Sequence, residues 1–312
     1  MIRVSHPVSR RRRSRILLLV AVTAVVAPAC GVTGDSAATI NSASIPRSEL
    51  ETVIADLAAV GQTAITSNGM ADAEFVRSVL TSLIIGRATD AVLADLGLEI
   101  TDNDRRFSEQ RFEQAGATGY SDSLREVIIR LNSAVSALDR APTPSPETVQ
   151  RNYERRPASV GMLCLRHIVV AEQSTARQAM DELGTAAVAD DEFAAVARRY
   201  SVEPNASDTG GALRSADGDC IALNEYQESF DDRFLAGALQ AAVGRPFGPV
   251  RSSFGYHVIY VRPYAAVADS IAANYDVAAG DYRLLGALAD ADIRVDSTYG
   301  RWDPLAGSVV AN

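Results

Sequence analysis

The chain has 312 residues, of which 47% are hydrophobic and 22% charged, so it has the composition of a globular protein with room for two domains. All thirty basic residues are arginine, and six of them precede Cys30; without those six charges the formal net charge falls from −9 to −15. A body that acidic repels phosphate backbones, which excludes nucleic acid as an expected partner.

The first thirty residues have the composition of an export signal. Arginines crowd positions 10–15, an apolar stretch runs from Ile16 to Val26, and small residues stand directly before Cys30. The apolar stretch is too short to span a bilayer as a mature helix. Because bacterial lipoprotein signals look similar, we expect residues 1–29 to be removed and Cys30 to carry lipid. The alternative is ordinary cleavage after Ala29.

Export makes the other two cysteines informative. If Cys30 carries lipid, then Cys164 and Cys220 form an even pair, and an oxidising compartment permits a disulfide between them. On the chain-entropy model such a bridge would stabilise the fold by roughly 4 kcal/mol. The alternative is two small buried thiols. No metal site is predicted, because neither cysteine has a second Cys or His at ligand spacing.

The residues after Cys30 predict a short tether and then a helical body. Residues 30–38 are mostly small and polar, which is typical of a flexible connection. A brief hairpin follows, and apolar side chains at helical spacing predict helices over 47–60, 73–96, 102–115 and 123–140. Their apolar stripes form either a shared core or a partly open groove that binds unfolded polypeptide.

Three prolines between residues 142 and 146 mark a boundary, and a helix capped by Ser145 follows them. The central region then predicts a strand over 163–170, helices over 174–187 and 190–201, a short strand at 212–213, a helix over 224–239 and two closing strands. Such an order buries one face of a small sheet against helices. Beyond residue 264 a helix to about 288 precedes a late strand at Ile293 and Val295, which Tyr299 would extend.

Five short motifs stand in order through the central region: "RHIVV", "GGAL", "ESFDDRFLAGAL", "GRPFGPV" and "FGYHVIYV". Together they resemble the parvulin family of peptidyl-prolyl isomerases, and the opening strand, turn and helix are similar to SurA-like foldases. The resemblance implies an α+β protein in which a parvulin-like domain, a small antiparallel sheet flanked by helices, is inserted into a mostly helical SurA/PrsA-like chaperone module. Residues 159–264 would be that domain, and residues 265–312 would return to complete 39–158.

Carried over by position, the resemblance implies a catalytic group made of His167, Glu203 and His257. The two histidines would be paired on the floor of the site, and Glu203 falls where relatives carry Cys or Asp. Against this stand two plainer interpretations, in which the histidines only hold the sheet together and Glu203 is a solvated loop carboxylate.

The same resemblance implies a substrate-binding group made of Leu213, Tyr226, Phe230 and Phe254, with Tyr226 in place of the usual Met. The first three residues would otherwise be filled core. Two departures from the family pattern lie nearby, since Ala212 replaces the Asp after Gly-Gly and "RS" replaces the Gly-aromatic pair that follows the Leu.

The resemblance, together with the leader, implies an exported peptidyl-prolyl cis-trans isomerase, a lipoprotein at the outer face of the bacterial cell membrane or in the envelope. Its partners would be the membrane, through the lipid, and unfolded or newly exported polypeptides with X-Pro bonds. No cofactor is expected, because rotation about an amide needs no bond to be made. The alternatives are a chaperone with a weak or inactive isomerase domain and an envelope scaffold that uses the fold for docking.

Overall fold

The computed structural model describes residues 34–63, 71–116, 118–215 and 218–312. The predicted signal peptide, Cys30 and part of the predicted tether lie outside these residues. Within the described ranges, no helix is both long and apolar enough to cross a membrane.

Eleven helices and ten strands make up this part of the chain, together with a short 3-10 helix at Pro157–Val160. The helices are α1 (Arg47–Ala59), α2 (Ala73–Leu96), α3 (Asp102–Gln114), α4 (Asp122–Leu138), α5 (Pro146–Arg155), α6 (Gln173–Leu183), α7 (Asp190–Tyr200), α8 (Ala206–Thr209), α9 (Leu223–Ser229), α10 (Asp232–Gln240) and α11 (Tyr264–Asp290). The strands are β1 (Ser36–Ile40), β2 (Ala43–Pro46), β3 (Met162–Leu163), β4 (Leu165–Val170), β5 (Ile221–Ala222), β6 (Pro246–Ser252), β7 (Gly255–Val261), β8 (Ile293–Val295), β9 (Arg301–Asp303) and β10 (Ser308–Val310).

The beginning and the end of the described chain share one sheet, ordered β2-β1-β8. Ile40 lies opposite Ile293, and Ala38 lies opposite Val295, in an antiparallel ladder. The apolar face of this sheet packs on α1, α2 and α4 through a core that includes Ile45, Leu50, Leu80, Leu83, Ile84 and Leu124. The helical body therefore takes strands from both ends of the described chain.

Local capping explains why the helices of this body begin and end where they do. The Asp72 carboxylate accepts the backbone N–H of Phe75 at 2.9 Å, which caps the start of α2. Gly97 ends that helix in the left-handed conformation at φ 64°. The predicted bounds of 73–96 are confirmed. Thr101 and Asp104 form a capping box at the start of α3, as two orphan N–H donors require.

The central sheet is antiparallel and ordered β4-β7-β6. Successive side chains alternate between its two faces. One face carries Ile168, Val170, Val258 and Tyr260 into a core with α6 and α7. The opposite face carries both strand histidines toward Phe234 of α10. Helices therefore cover both faces, and the histidines lie on the α10 side.

Several predicted elements were wrong in detail. The single helix predicted over 224–239 is two helices, because Phe230 is extended (φ −109°, ψ 157°) and Asp231 caps a new helix by accepting the N–H of Arg233. The helix predicted to reach 187 ends at Leu183, before Gly184 at φ 73°. The predicted strand at 212–213 is one isolated bridge between Ala212 and Arg166.

Three further boundaries also differ from the prediction. The strand predicted over 163–170 is interrupted at Cys164, so that β3 pairs with β5 while β4 pairs with β7. The late strand β8 ends at Val295, and Tyr299 lies outside it. The hairpin of β9 and β10 was not predicted, because strands of three residues carry too little periodicity to detect.

An ion network with little exposure fastens the central sheet to its surroundings. Asp190, at the start of α7, pairs with Arg166 of β4 at 2.8 Å and with Arg262, just after β7, at 2.9 Å. Arg262 also reaches Asp219 at 2.7 Å, beside Cys220. Burial raises the pKa of Asp190, but the hydrogen bonds and charges of the two arginines outweigh it and lower that pKa below its ordinary value.

Asp190→Asn should therefore destabilise the protein strongly. The substitution leaves the Arg262 side chain, which is only 5% exposed, without its central counter-charge, and breaking such a pair typically costs about 3 kcal/mol. Urea unfolding of the variant measures the loss. Asp191→Asn is the matched control, since it removes a neighbouring charge from the same helix turn at an exposed position. Equal losses for the two variants would contradict the assigned role of Asp190.

Candidate active site

Strand pairing brings the two histidines together. Val169 lies opposite His257 and His167 lies opposite Ile259, so both imidazoles project from one face of the sheet. Their Nδ1 atoms are 3.2 Å apart, and the ring centroids are 5.4 Å apart in a stacked arrangement. Both residues are buried, with exposed fractions of 6% for His167 and 4% for His257. The histidines predicted to be paired are thus in direct contact.

The paired histidines stand in the middle of a longer hydrogen-bond chain. At one end Glu203 Oε2 lies 2.8 Å from His167 Nε2, and at the other Ser252 Oγ lies 2.6 Å from His257 Nε2. The backbone N–H of Phe254 donates to Ser252 Oγ at 3.0 Å. This series of hydrogen bonds connects the loop that carries Glu203 with the turn between β6 and β7.

The chemistry of the end groups orders the protons along this chain. A carboxylate only accepts, so His167 Nε2–H donates to Glu203. When His167 is neutral its Nδ1 is an acceptor, and His257 Nδ1–H must donate to it. The His257 Nε2 atom then accepts from the Ser252 hydroxyl. All the contacts are satisfied at once with both rings uncharged.

The electrostatics favour this arrangement. Burial, and then the neighbouring His167, lower the pKa of His257 to about 4. The hydrogen bond from His167 lowers the pKa of Glu203, and it outweighs the partial burial of that carboxyl. At neutral pH the site therefore holds an uncharged His257 and an ionised Glu203.

Two phenylalanine rings lie next to the histidine pair. The Phe234 centroid lies 5.6 Å from the His167 ring and 5.1 Å from the His257 ring, and Phe230 stacks on Phe234 at 5.8 Å. Phe230 and Leu213 are partly buried, whereas Phe254, at the turn between β6 and β7, is 77% exposed. Three of the four predicted substrate-binding side chains therefore reach the surface.

Tyr226 needs a correction, because it lies beneath this surface. Its side chain is fully enclosed in the core and packs against Phe230 with centroids 4.5 Å apart. It therefore supports Phe230 from below, where direct contact with a substrate had been expected. Among the described residues its hydroxyl has no hydrogen-bond partner.

The Gly-Gly motif lets the loop that carries Leu213 approach β4. Gly211 has φ 75°, and a Cβ there would lie 2.2 Å from the His167 carbonyl oxygen. The His167 N–H donates to the Gly211 carbonyl at 2.8 Å, and the Leu213 N–H donates to Leu165 O at 3.0 Å. A disulfide joins Cys164 to Cys220, beyond this loop.

Sequence reasoning missed two side chains that complete the site, Ser252 and Phe234. Ser252 is the last residue of β6 and stands five residues before His257. Only the pairing of β6 with β7 shows that the Ser252 hydroxyl meets the His257 ring. Phe234 follows Phe230 by four residues, a spacing that signals a shared helix face, yet a helix break separates them. Among the described residues no group of three or more His, Cys, Asp or Glu side chains could hold a metal ion.

Residues 150–264 match the family described as "PPIC-type PPIASE domain". The chain carries a parvulin-type isomerase domain. The match includes the catalytic candidates and the aromatic rings around them, and it begins inside α5, whose Tyr153 is buried in the same core as β3 and β5. The parvulin resemblance inferred from the five motifs is thereby confirmed.

Curated proteins similar to the chain include foldases. The chain is 22% identical to "Foldase protein PrsA" of Caldanaerobacter subterraneus over 84% of its own length and 87% of that protein. It is 33% identical to "Foldase protein PrsA 4" of Bacillus cereus, over 31% of its own length and 30% of that protein.

Solved structures similar to the chain include PrsA from Bacillus subtilis, at 19% identity and a TM-score of 0.28, covering 84% of this chain and 96% of that one. A structure from the SurA-like chaperones PEB4 and Cj1289 of Campylobacter jejuni has 20% identity and a TM-score of 0.27, covering 77% of this chain and 89% of that one. The sequence matches carry the family assignment.

Tyr226→Phe should stabilise the protein by about 1 kcal/mol, because it removes a buried hydroxyl that makes no hydrogen bond. The matched control is Tyr153→Phe. That ring is equally enclosed, but its hydroxyl donates to Arg262 O at 2.9 Å, so its loss should destabilise by about 1 kcal/mol. Urea unfolding of both variants measures the two signs. A destabilised Tyr226→Phe protein would show that this hydroxyl has a partner.

Proposed function

We propose that this chain is an exported peptidyl-prolyl cis-trans isomerase that assists the folding of other exported proteins. The observation that carries the proposal is the buried His167–His257 pair packed against Phe234, on which Phe230 stacks, inside a domain that matches the PPIC-type family. Its substrates are unfolded or newly exported polypeptides that contain X-Pro bonds.

The reaction requires the enzyme to bind a twisted amide better than a planar one. Rotation is slow because it breaks amide resonance, with a barrier of about 18–20 kcal/mol. As the bond twists, the carbonyl and the nitrogen lose charge separation and become less dependent on water. An apolar surface such as that of Phe230 and Phe254 therefore favours the twisted state over the planar one.

The polar chain provides the second part of the proposed mechanism. Glu203, His167 and His257 form a fixed set of dipoles at the foot of the aromatic rings, and Glu203 is ionised. Preorganised groups of this kind stabilise a changing charge distribution without reorganising. Leu213 and Phe230 hold the proline ring, Phe254 covers it from the turn, and Tyr226 keeps Phe230 in place. No cofactor takes part.

A refolding assay tests the isomerase proposal. We expect the chain from Val32 onward to accelerate a proline-limited refolding phase, and Phe230→Ala to reduce that acceleration by roughly tenfold or more, since it removes most of one apolar contact with the twisted amide. Phe107→Ala is the matched control, because Phe107 is an exposed ring on α3 of the helical body. No acceleration by the wild-type chain would overturn the proposal.

A holdase is the second candidate, and one feature of the helical body favours it. A groove of about 390 Å³ between α1, α2 and α4 is lined mainly by apolar side chains, and it includes Val135, which is 49% exposed. A holdase would suppress aggregation of an unfolded client and leave the slow refolding phase unchanged. Measuring both quantities on the same samples separates the two functions.

We further propose that Cys30 carries a lipid that holds the protein at the outer face of the cell membrane. The support is the sequence before it, with its arginine cluster, apolar stretch and small residues. Metabolic labelling with a fatty acid should label the wild-type protein and not Cys30→Ser, and the variant should leave the membrane fraction. Equal labelling of both would rule out Cys30 as the anchor.

A further inference from the structure

Only one of the two Glu203 carboxylate oxygens accepts a hydrogen bond among the described residues. Its Oε2 accepts from His167, but among the described residues Oε1 has no hydrogen-bond partner and no arginine pairs with the group. The side chain is 31% exposed, so this oxygen is open to solvent beside the site. An ionised group that is only half satisfied at the edge of an apolar surface attracts a cation.

The arginines of the surrounding domain leave this charge uncompensated. Residues 159–264 contain nine arginines and fourteen acidic residues. Arg166 and Arg262 are held by Asp190, Arg214 pairs with Asp219, and Arg251 lies over the Tyr256 ring. Glu203 has only a histidine, His167, within ion-pair distance among the described residues.

The position of Glu203 relative to the aromatic rings indicates which part of a substrate it meets. Phe234 packs edge-on against the His167 ring and Phe230 stacks on Phe234, while Glu203 contacts the Nε2 atom of His167. In the binding mode considered, a prolyl ring packs on Phe230, and the residue before proline, at the other end of the rotating amide, lies near Glu203, the partly exposed carboxylate that contacts His167.

We propose that Glu203 selects substrates with Lys or Arg immediately before the proline. This inference rests on the proposed isomerase function and adds the class of sequence that the site prefers. The long apolar stems of Lys and Arg let the charged head reach Glu203 Oε1 while the proline ring stays on the aromatic surface. An acidic residue at the same position meets a like charge and is disfavoured.

The expected preference is moderate. A partly exposed ion pair changes an equilibrium by a few fold at most, and like-charge repulsion acts in the opposite direction by a similar factor. We therefore expect kcat/KM for a Lys-Pro peptide to exceed that for the matching Glu-Pro peptide by about tenfold at low salt. The ratio should fall at high salt, because dissolved ions screen the charge pair between Glu203 and the substrate.

The test uses blocked peptides Ala-X-Pro-Phe with X as Lys, Gln or Glu, with isomerisation rates measured by NMR exchange on the chain from Val32 onward. In Glu203→Gln the Lys-to-Glu ratio should fall to about one to two. The Lys-to-Glu ratio is taken within a single variant, so any effect of the substitution that is equal for all substrates cancels. Glu192→Gln is the control, because it removes one exposed charge from α7, which covers the opposite face of the sheet, and it should keep the wild-type ratio.

A Lys-to-Glu ratio that is the same in wild type and Glu203→Gln, or a wild-type ratio near one, would overturn this inference even if the protein isomerises all three peptides. Absence of catalysis on every peptide would instead overturn the proposed function on which the inference rests. Loss of selectivity in Glu192→Gln would assign the preference to the net charge of the domain, and so would also overturn the role given to Glu203.

Discussion

The register between β4 and β7 is the constraint on which the site depends, and one carboxylate fastens it. Asp190 holds Arg166 on the first strand and Arg262 just beyond the second. A slip of one residue along either strand would turn its histidine to the opposite face of the sheet. The His167–His257 contact therefore depends on an ion network that has no chemical part in the proposed reaction.

Burial gives the histidine pair its chemical character. Burial, and then the neighbouring His167, lower the pKa of His257, which packs against the Phe234 ring. The negative charge of the site lies on Glu203, whose side chain is partly exposed to solvent. An uncharged His257 together with an ionised Glu203 suits a reaction in which an amide loses polarity as it rotates.

Much of this arrangement could be predicted from sequence because it is local. Asp72 and Gly97 delimit α2 by capping, and the five motifs placed both histidines on strands of one small sheet. What sequence could not provide depends on contacts distant in the chain. The break at Phe230 precedes Asp231, whose carboxylate caps the next helix and also accepts the N–H of the distant Ser253. The enclosure of Tyr226 follows from packing around it.

The pairing of β1 with β8 has a consequence for how this molecule is made. A polypeptide is synthesised from its amino end, so β1 appears early, yet its partner strand is more than two hundred residues behind it. All strands of the isomerase sheet, β4, β6 and β7, lie between β1 and β8 in the sequence, so they are available before β8. The sheet of the central domain can thus form while the helical body still lacks its last strand, so the order in which the strands emerge sets the order of assembly.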